Sequence, residues 1–289
     1  MALYKSDAVV ISRRNLGESD RLVEFYTRDF GKVRGVAKGA RRPRSRFGSA
    51  LETFTRGRLL FFDTGRSELV RIDHFDILES FIRVREHLER LGRGAWVVEC
   101  LARLSAERDS HPALYRLLVR SLVALEGPAG PGRVAACFGL RAFDLTGHRP
   151  RIDRCVSCGR PYPFPGAGLD VGEGGLTCAS CGTGGHPIPM SEVLVATVGR
   201  LRGLRWDEAL RLPLAPRLDE ELTALLEAAI SRLIGQVPRS LRFMAQTRRG
   251  LSMVAEPAPA VPGGSPRSAR LGAVSGPALP PRPGGTRRP

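Results

Sequence analysis

Over roughly the first 78 residues, apolar side chains recur in short runs rich in β-branched and aromatic residues, each closed by a turn signal. The runs at 6–14, 21–27, 31–40, 56–63 and 68–75 predict five strands, with turns at Arg28-Asp29-Phe30-Gly31 and Thr64-Gly65. Five short strands at this spacing predict a small closed barrel. The count favours a five-stranded OB-fold over its SH3-like rival.

The period then becomes helical. Phe81, Val84, Leu88, Leu91, Ala95, Val98 and Ala102 step by three and four, and Gly92 and Gly94 predict a bend in that helix. A second helix opens at Pro112 and carries Leu114, Leu117, Leu118, Leu122 and Leu125 on one side. A third, 133–146, stops at Gly147. A fourth begins at the N-cap Ser191 and runs to about Leu204. The last has Leu218, Leu222, Leu225, Leu226, Ala229, Ile230 and Leu233 on one face. Asp219, Glu220 and Glu221 sit in its first turn, where the helix dipole favours anions, and Gly235 closes it.

Between the third and fourth helices the helical period fails, and four cysteines appear. Cys155, Cys158, Cys178 and Cys181 form two Cys-x-x-Cys pairs with 19 residues between them, the spacing of a tetrahedral zinc site. Gly159 and Gly182 follow the pairs and are expected to permit tight turns at positive φ. Four thiolates close the coordination sphere, so one structural Zn2+ is expected, with His148 and His186 as surface turn residues. Cys100 and Cys137 fall in apolar helical patterns and are expected in the core.

The chain is therefore α+β and multidomain, an OB-fold barrel followed by an all-α domain with an inserted four-cysteine, zinc-finger-like module. The expected segments are a barrel at 1–79, helices at 80–149, the insert at 150–187, helices again at 188–250, and a disordered basic tail at 251–289. Beyond Glu256 that tail is rich in Pro, Gly and Ser, with five arginines and no acid.

Charge narrows the function. Lys and Arg number 45 against 29 Asp and Glu, a net charge of +16, which points to a polyanion partner. Only Lys5, Lys32 and Lys38 are lysines; coding bias accounts for arginine in place of lysine better than for an excess over acids. The densest segment holds Lys32, Arg34, Lys38, Arg41, Arg42, Arg44 and Arg46, with no acid between Gly31 and Leu51. Period two places Lys32, Arg34 and Lys38 on one side of a strand that continues into an extended arginine loop. Such a stripe suits a phosphate backbone. Phe25, Tyr26, Phe47 and Phe54 are nearby candidates for base stacking, although Phe25 and Phe54 are read first as barrel core.

No signal peptide and no apolar run of about 18 residues is present, which predicts a cytoplasmic protein without a membrane partner. Motifs of zinc proteases, serine hydrolases and P-loop nucleotide hydrolases are absent, so no enzyme is expected. A zinc-ribbon RNA-binding or translation-associated protein is the alternative, and a zinc hydrolase ranks behind both because four thiolates leave no open position.

Several short motifs occur in a telling order: Gly17-Glu18-Ser19-Asp20-Arg21-Leu22, Thr27-Arg28-Asp29-Phe30-Gly31-Lys32, Ala37-Lys38-Gly39-Ala40-Arg41-Arg42 with Ser45, Leu145 with Gly147 and Pro150 ahead of Cys155-Val156-Ser157-Cys158-Gly159, and Ser240-Leu241-Arg242-Phe243. Together, over residues 5–245, they resemble the bacterial recombination mediator RecO family. The resemblance implies binding of single- and double-stranded DNA, annealing of complementary strands, and cooperation with the partner RecR. It further implies recognition of the acidic C-terminal tail of single-stranded DNA-binding protein (SSB) and, indirectly, loading of RecA, in a nucleoid-associated repair protein. Arg116, Arg120 and Arg141 are candidate rims of the tail site.

Overall fold

A computed structural model describes residues 2–65, 67–182 and 186–255, with side chains described to residue 247. Five strands, β1 (Ala2–Leu16), β2 (Asp20–Thr27), β3 (Gly31–Ala37), β4 (Arg56–Asp63) and β5 (Val70–Glu79), close a barrel in the order β1-β2-β3-β5-β4. All pairings are antiparallel except β3 with β5. This is the expected OB-type barrel. β3 ends at Ala37, three residues before the expected boundary, because residues 38–55 turn repeatedly rather than extend.

Both faces of β1 and β2 are buried, for different reasons. Ala8, Val10, Val23 and Phe25 point into the barrel with Leu59, Phe61, Ile72 and Phe75. Val9, Ile11 and Tyr26 point the other way and join the helical core. Burying each such side chain stabilises the chain by about 1.5–3 kcal/mol, so this face fixes the barrel on the helices. Residues up to Arg249 form one compact unit.

The helices are α1 (Ile82–Glu86), α2 (Leu88–Leu104), α3 (Pro112–Glu126), α4 (Pro131–Leu145), α5 (Glu192–Gly203), α6 (Trp206–Arg211), α7 (Pro216–Leu233) and α8 (Arg239–Ala255). α2, α3, α4 and α7 bury their apolar faces against one another. The buried Arg133 on α4 pairs with Asp219 of α7 at 2.6 Å, and the buried Arg93 on α2 pairs with Glu227 of α7.

The expected bend at Gly92 and Gly94 is not found. The first helical stretch breaks earlier, at the extended residue His87. The glycines instead permit close packing. A Cβ at Gly92 would lie 2.5 Å from Met244 Cγ, and one at Gly94 would lie 2.9 Å from Val84 and 3.1 Å from Phe54.

Between α4 and α5 lies a three-stranded sheet, β6 (Gly168–Asp170), β7 (Gly175–Thr177) and β8 (Ile188–Pro189), ordered β7-β6-β8. The sheet packs Leu169 and Leu176 into the helical core, and the flanking Phe164 and Met190 join them. Residues 251–255, expected in the tail, instead end α8. The tail from 256 onward lies outside the described residues.

Candidate functional site

Residues 38–55 connect β3 to β4 as a chain of tight turns. Backbone N–H groups of Ala40, Arg42, Ser45, Gly48, Ala50, Glu52 and Thr55 each donate to the carbonyl three residues earlier. Ala40, Phe47, Ala50 and Leu51 pack into the barrel core, and Phe54 packs into the helical core. The loop is thus compact and anchored by its apolar residues, in place of the extended loop that the sequence predicts.

Its polar side is held by the β1–β2 hairpin. The Asp20 carboxylate accepts the Gly39 N–H at 2.8 Å and the Ser19 hydroxyl at 2.9 Å. The Arg41 N–H donates to the Ser19 carbonyl at 2.9 Å, and the Arg41 guanidinium donates to the Gly17 carbonyl at 2.7 Å. Gly17 and Gly39 both adopt positive φ, at 60° and 67°. The Gly39 N–H, then the Ser19 hydroxyl, hold Asp20 below the usual carboxylate range, so it stays an acceptor at neutral pH. Sequence reasoning does not single out Ser19 and Asp20 as site residues. Their signal is the short Gly-Glu-Ser-Asp turn facing a glycine in the basic run.

The seven predicted basic residues separate into two groups. Lys38, Arg41, Arg42, Arg44 and Arg46 are exposed on the loop. Among the described residues, Lys38, Arg41, Arg42 and Arg44 form no ion pair. Arg46 lies over the Phe47 ring at 5.1 Å and 3.8 Å from Asp73, a carboxylate shared with Arg71 at 3.7 Å.

Lys32 and Arg34 face elsewhere. Lys32 is buried, and its ammonium donates to the Ala102 and Ser105 carbonyls at 2.8 and 3.2 Å and pairs with Glu107 at 3.2 Å. It caps the C-terminal end of α2, where carbonyls lack helical partners and the dipole favours a cation. Arg34 pairs with Glu107 at 2.5 Å and with Glu24 at 3.8 Å. Placing Lys32 in a phosphate-binding stripe is therefore corrected: it is a fastener between barrel and helix. Arg34 is committed to the same junction. Burial alone would raise the Glu107 carboxyl, but bonds from Arg34 and Lys32 hold it below its ordinary value.

The stacking candidates are corrected as well. Phe25, Tyr26, Phe47 and Phe54 are all buried, the first and last as expected. Desolvation raises the Tyr26 hydroxyl to about 12, in keeping with an interior position.

The four cysteines converge. Their sulfurs all lie within 4.8 Å of one another, with Cys158 and Cys178 3.9 Å apart. A tetrahedron with metal–sulfur bonds of about 2.3 Å has edges of about 3.8 Å, so the group fits one tetrahedral ion. Each pair is a knuckle. Gly159 N–H donates to the Cys155 carbonyl at 2.9 Å, and Gly182 N–H donates to the Cys178 carbonyl at 2.9 Å. Gly159 takes φ 76° as expected, whereas Gly182 has no positive φ; a Cβ there would lie 3.2 Å from Pro187 Cγ.

The donors also behave as a metal set. At Cys155 desolvation opposes ionisation, but backbone N–H groups of Cys158, Cys178 and Ser157 outweigh it and lower the thiol to about 6. Cys178 is lowered in the same way, against desolvation and by the N–H of Cys181. Cys181 is pushed up to about 12, first by its bonds to the Cys178 and Cys158 sulfurs. Four thiolates at this spacing repel one another, and a dication is what allows all four to ionise. Cys100 and Cys137 are buried, as expected, and desolvation raises both thiols, Cys137 to about 11.

The three candidate rim arginines line one cavity of about 430 Å³ together with Trp206. Arg116 and Arg120 are exposed. Arg141 is committed to α5, donating to the carbonyls of Arg202 at 3.1 Å, Leu201 at 3.3 Å, and Leu204. A second, more apolar cavity of about 700 Å³ adjoins through Arg120, Trp206 and Asp207 and is lined by Val119, Val123 and Leu210. No helix among the described residues is long and apolar enough to cross a membrane.

Two family models match the chain: Recombination protein O N terminal over residues 1–81, and Recombination protein O C terminal over residues 85–242. Among curated proteins, the DNA repair protein RecO of Myxococcus xanthus is 37% identical over 248 residues, covering 85% of this chain and 98% of its own length. The DNA repair protein RecO of Rubrobacter xylanophilus is 39% identical over 236 residues, covering 80% and 92%.

Proposed function

The chain belongs to the RecO family of DNA repair proteins, and from that premise we propose that it is a DNA-binding recombination mediator that works without catalytic chemistry. It binds single- and double-stranded DNA, anneals complementary strands, and with RecR helps to load RecA onto single strands coated by SSB. The observation that carries this reading is the compact loop holding Lys38, Arg41, Arg42 and Arg44 exposed, with no ion pair among the described residues, on an OB-type barrel.

Annealing requires charge more than chemistry. Two phosphate backbones repel until cations screen them, and the bases must stay free to pair. Three arginines and a lysine on turns fixed by the barrel supply the cations with little ordering cost on binding. The burial of all four neighbouring aromatics fits this role, because a surface that stacked bases there would withhold them from pairing.

The helical side has a separate task in this reading. The adjoining cavities near Trp206 combine an apolar lining with Arg116 and Arg120, which suits the acidic, apolar-ended tail of SSB. The four cysteines would hold one structural Zn2+ that ties two knuckles and the small sheet to the helical core.

An annealing assay on complementary strands coated with SSB, with and without RecR, tests the reading. Salt-sensitive annealing, enhanced for RecA loading when RecR is present, is expected. Preference for structured RNA with no annealing would instead favour an RNA-binding protein.

A further inference from the structure

A second set of basic residues lies away from the loop. The outer face of β1–β3, helix α2 and the start of α8 enclose an open cleft of about 710 Å³. Its acids are already committed. Glu107 is matched by Lys32 and Arg34, and Glu24 by Arg34. Glu99 accepts the backbone N–H groups of Arg239 and Ser240, both at 2.9 Å, and the Ser240 hydroxyl at 2.8 Å, so it serves as the N-terminal cap of α8.

Two cations of the cleft are left over. Arg103 and Arg239 are exposed and form no ion pair among the described residues; Arg103 acts on Glu24 only through its longer-range field. Beside them Phe243 is 45% exposed, while its helix neighbours Leu241 and Met244 pack against the helical core. An exposed aromatic that shares a cleft with two arginines free of ion pairs is an arrangement that holds a phosphate chain and stacks a base. The Ser240-Leu241-Arg242-Phe243 motif thereby acquires two parts: Ser240 fixes the start of α8 on Glu99, and Phe243 is presented to the cleft.

The cleft also continues from the loop. Arg13 lines it and is held by Glu52 of the loop at 2.6 Å. Four residues further, in the turn just past the end of β1, is Gly17, whose carbonyl carries Arg41. At about 3.3 Å per strand residue these positions lie no more than about 13 Å apart, a few nucleotides along a strand.

We propose that this cleft is a second contact for a single nucleic-acid strand, with Arg103 and Arg239 on its phosphates and Phe243 as the platform for one unstacked base. The proposal rests on the nucleic-acid reading of the loop and extends it to a surface where a base is held instead of freed. A strand gripped here on its way to the loop would be oriented before pairing.

The test is the salt dependence of binding of the full chain to a single-stranded oligonucleotide of about 20 nucleotides. Wild type is compared with Arg103→Gln/Arg239→Gln, Phe243→Ala, Phe243→Tyr and the loop variant Arg41→Gln/Arg42→Gln/Arg44→Gln, with thermal midpoints as the folding control. With two fewer phosphates neutralised, the log–log slope should fall by about 1.4. Phe243→Ala should weaken binding roughly 5- to 150-fold with the slope unchanged, and Phe243→Tyr should retain it. Wild-type affinity and slope in the cleft variants, with weakened binding in the loop variant, would overturn the cleft and leave the loop reading standing. Absence of salt-dependent binding by the wild type would overturn the loop reading itself.

Discussion

Asp20 on the β1–β2 hairpin accepts the backbone N–H of Gly39 at 2.8 Å, and this bond positions the basic loop from outside it. Asp20→Ala should release Gly39, speed hydrogen exchange at its amide and weaken DNA binding severalfold. The barrel should remain folded, because the loop's apolar anchors are untouched. Asp20→Asn keeps an acceptor oxygen and should be milder. Equal exchange rates at Gly39 in wild type and Asp20→Ala would contradict the role.

Lys32 is expected to behave unlike its neighbours in the basic run. Lys32→Met leaves the carbonyls of Ala102 and Ser105, at the end of α2, without their ammonium donor. The cost should be about 1–3 kcal/mol in urea unfolding, the range for a partner removed from a buried polar group. The salt slope for DNA should stay at the wild-type value. A variant of full stability with a reduced slope would return Lys32 to the DNA-binding set.

The barrel–helix junction should also respond to acid. Glu107 has its folded carboxyl held below an unfolded value of about 4.3. The stability it contributes is present above that value and is lost as pH falls through the folded one. Both Glu107 and Arg34 are partly exposed, so the effect should be under about 1 kcal/mol. Thermal midpoints of wild type and Glu107→Gln should differ at pH 6 and converge toward pH 3. A difference that persists at the acid end would point to another cause.

For the cysteines, metal analysis of reduced protein should give about one zinc per chain. Cys158→Ser, or a strong chelator, should destabilise the helical part, since the small sheet buries Leu169 and Leu176 in that core. DNA binding by the loop should survive. Zinc-free protein of unchanged stability would sink the structural-site reading.

The sequence and the structure agree where a local pattern carries the information and part where a distant partner decides. Five short strands and two cysteine pairs are local signals, and both appear as expected. Period two correctly puts Lys32 beside Arg34, but nothing near Lys32 announces that α2 ends against it some 70 residues later. The start of α8 is hidden for the same reason: its cap, Glu99, lies 140 residues upstream. Tyr26 passes for a stacking surface in the sequence because a strand pattern does not reveal that the barrel's outer face is covered by helices, and Phe47 because a basic loop does not reveal that it folds back into the barrel core. Gly92 and Gly94 read as weak helix formers, yet Met244, Val84 and Phe54 need the space they leave.

The central claim is that the arginines of the 38–55 loop carry the phosphate contacts. Measuring single-stranded DNA affinity against salt for wild type and Arg41→Gln/Arg42→Gln/Arg44→Gln tests it most directly. The log–log slope should fall by about 2 in the triple variant, about 0.7 for each phosphate no longer neutralised, with the thermal midpoint unchanged. Wild-type affinity and slope in that variant would contradict the account.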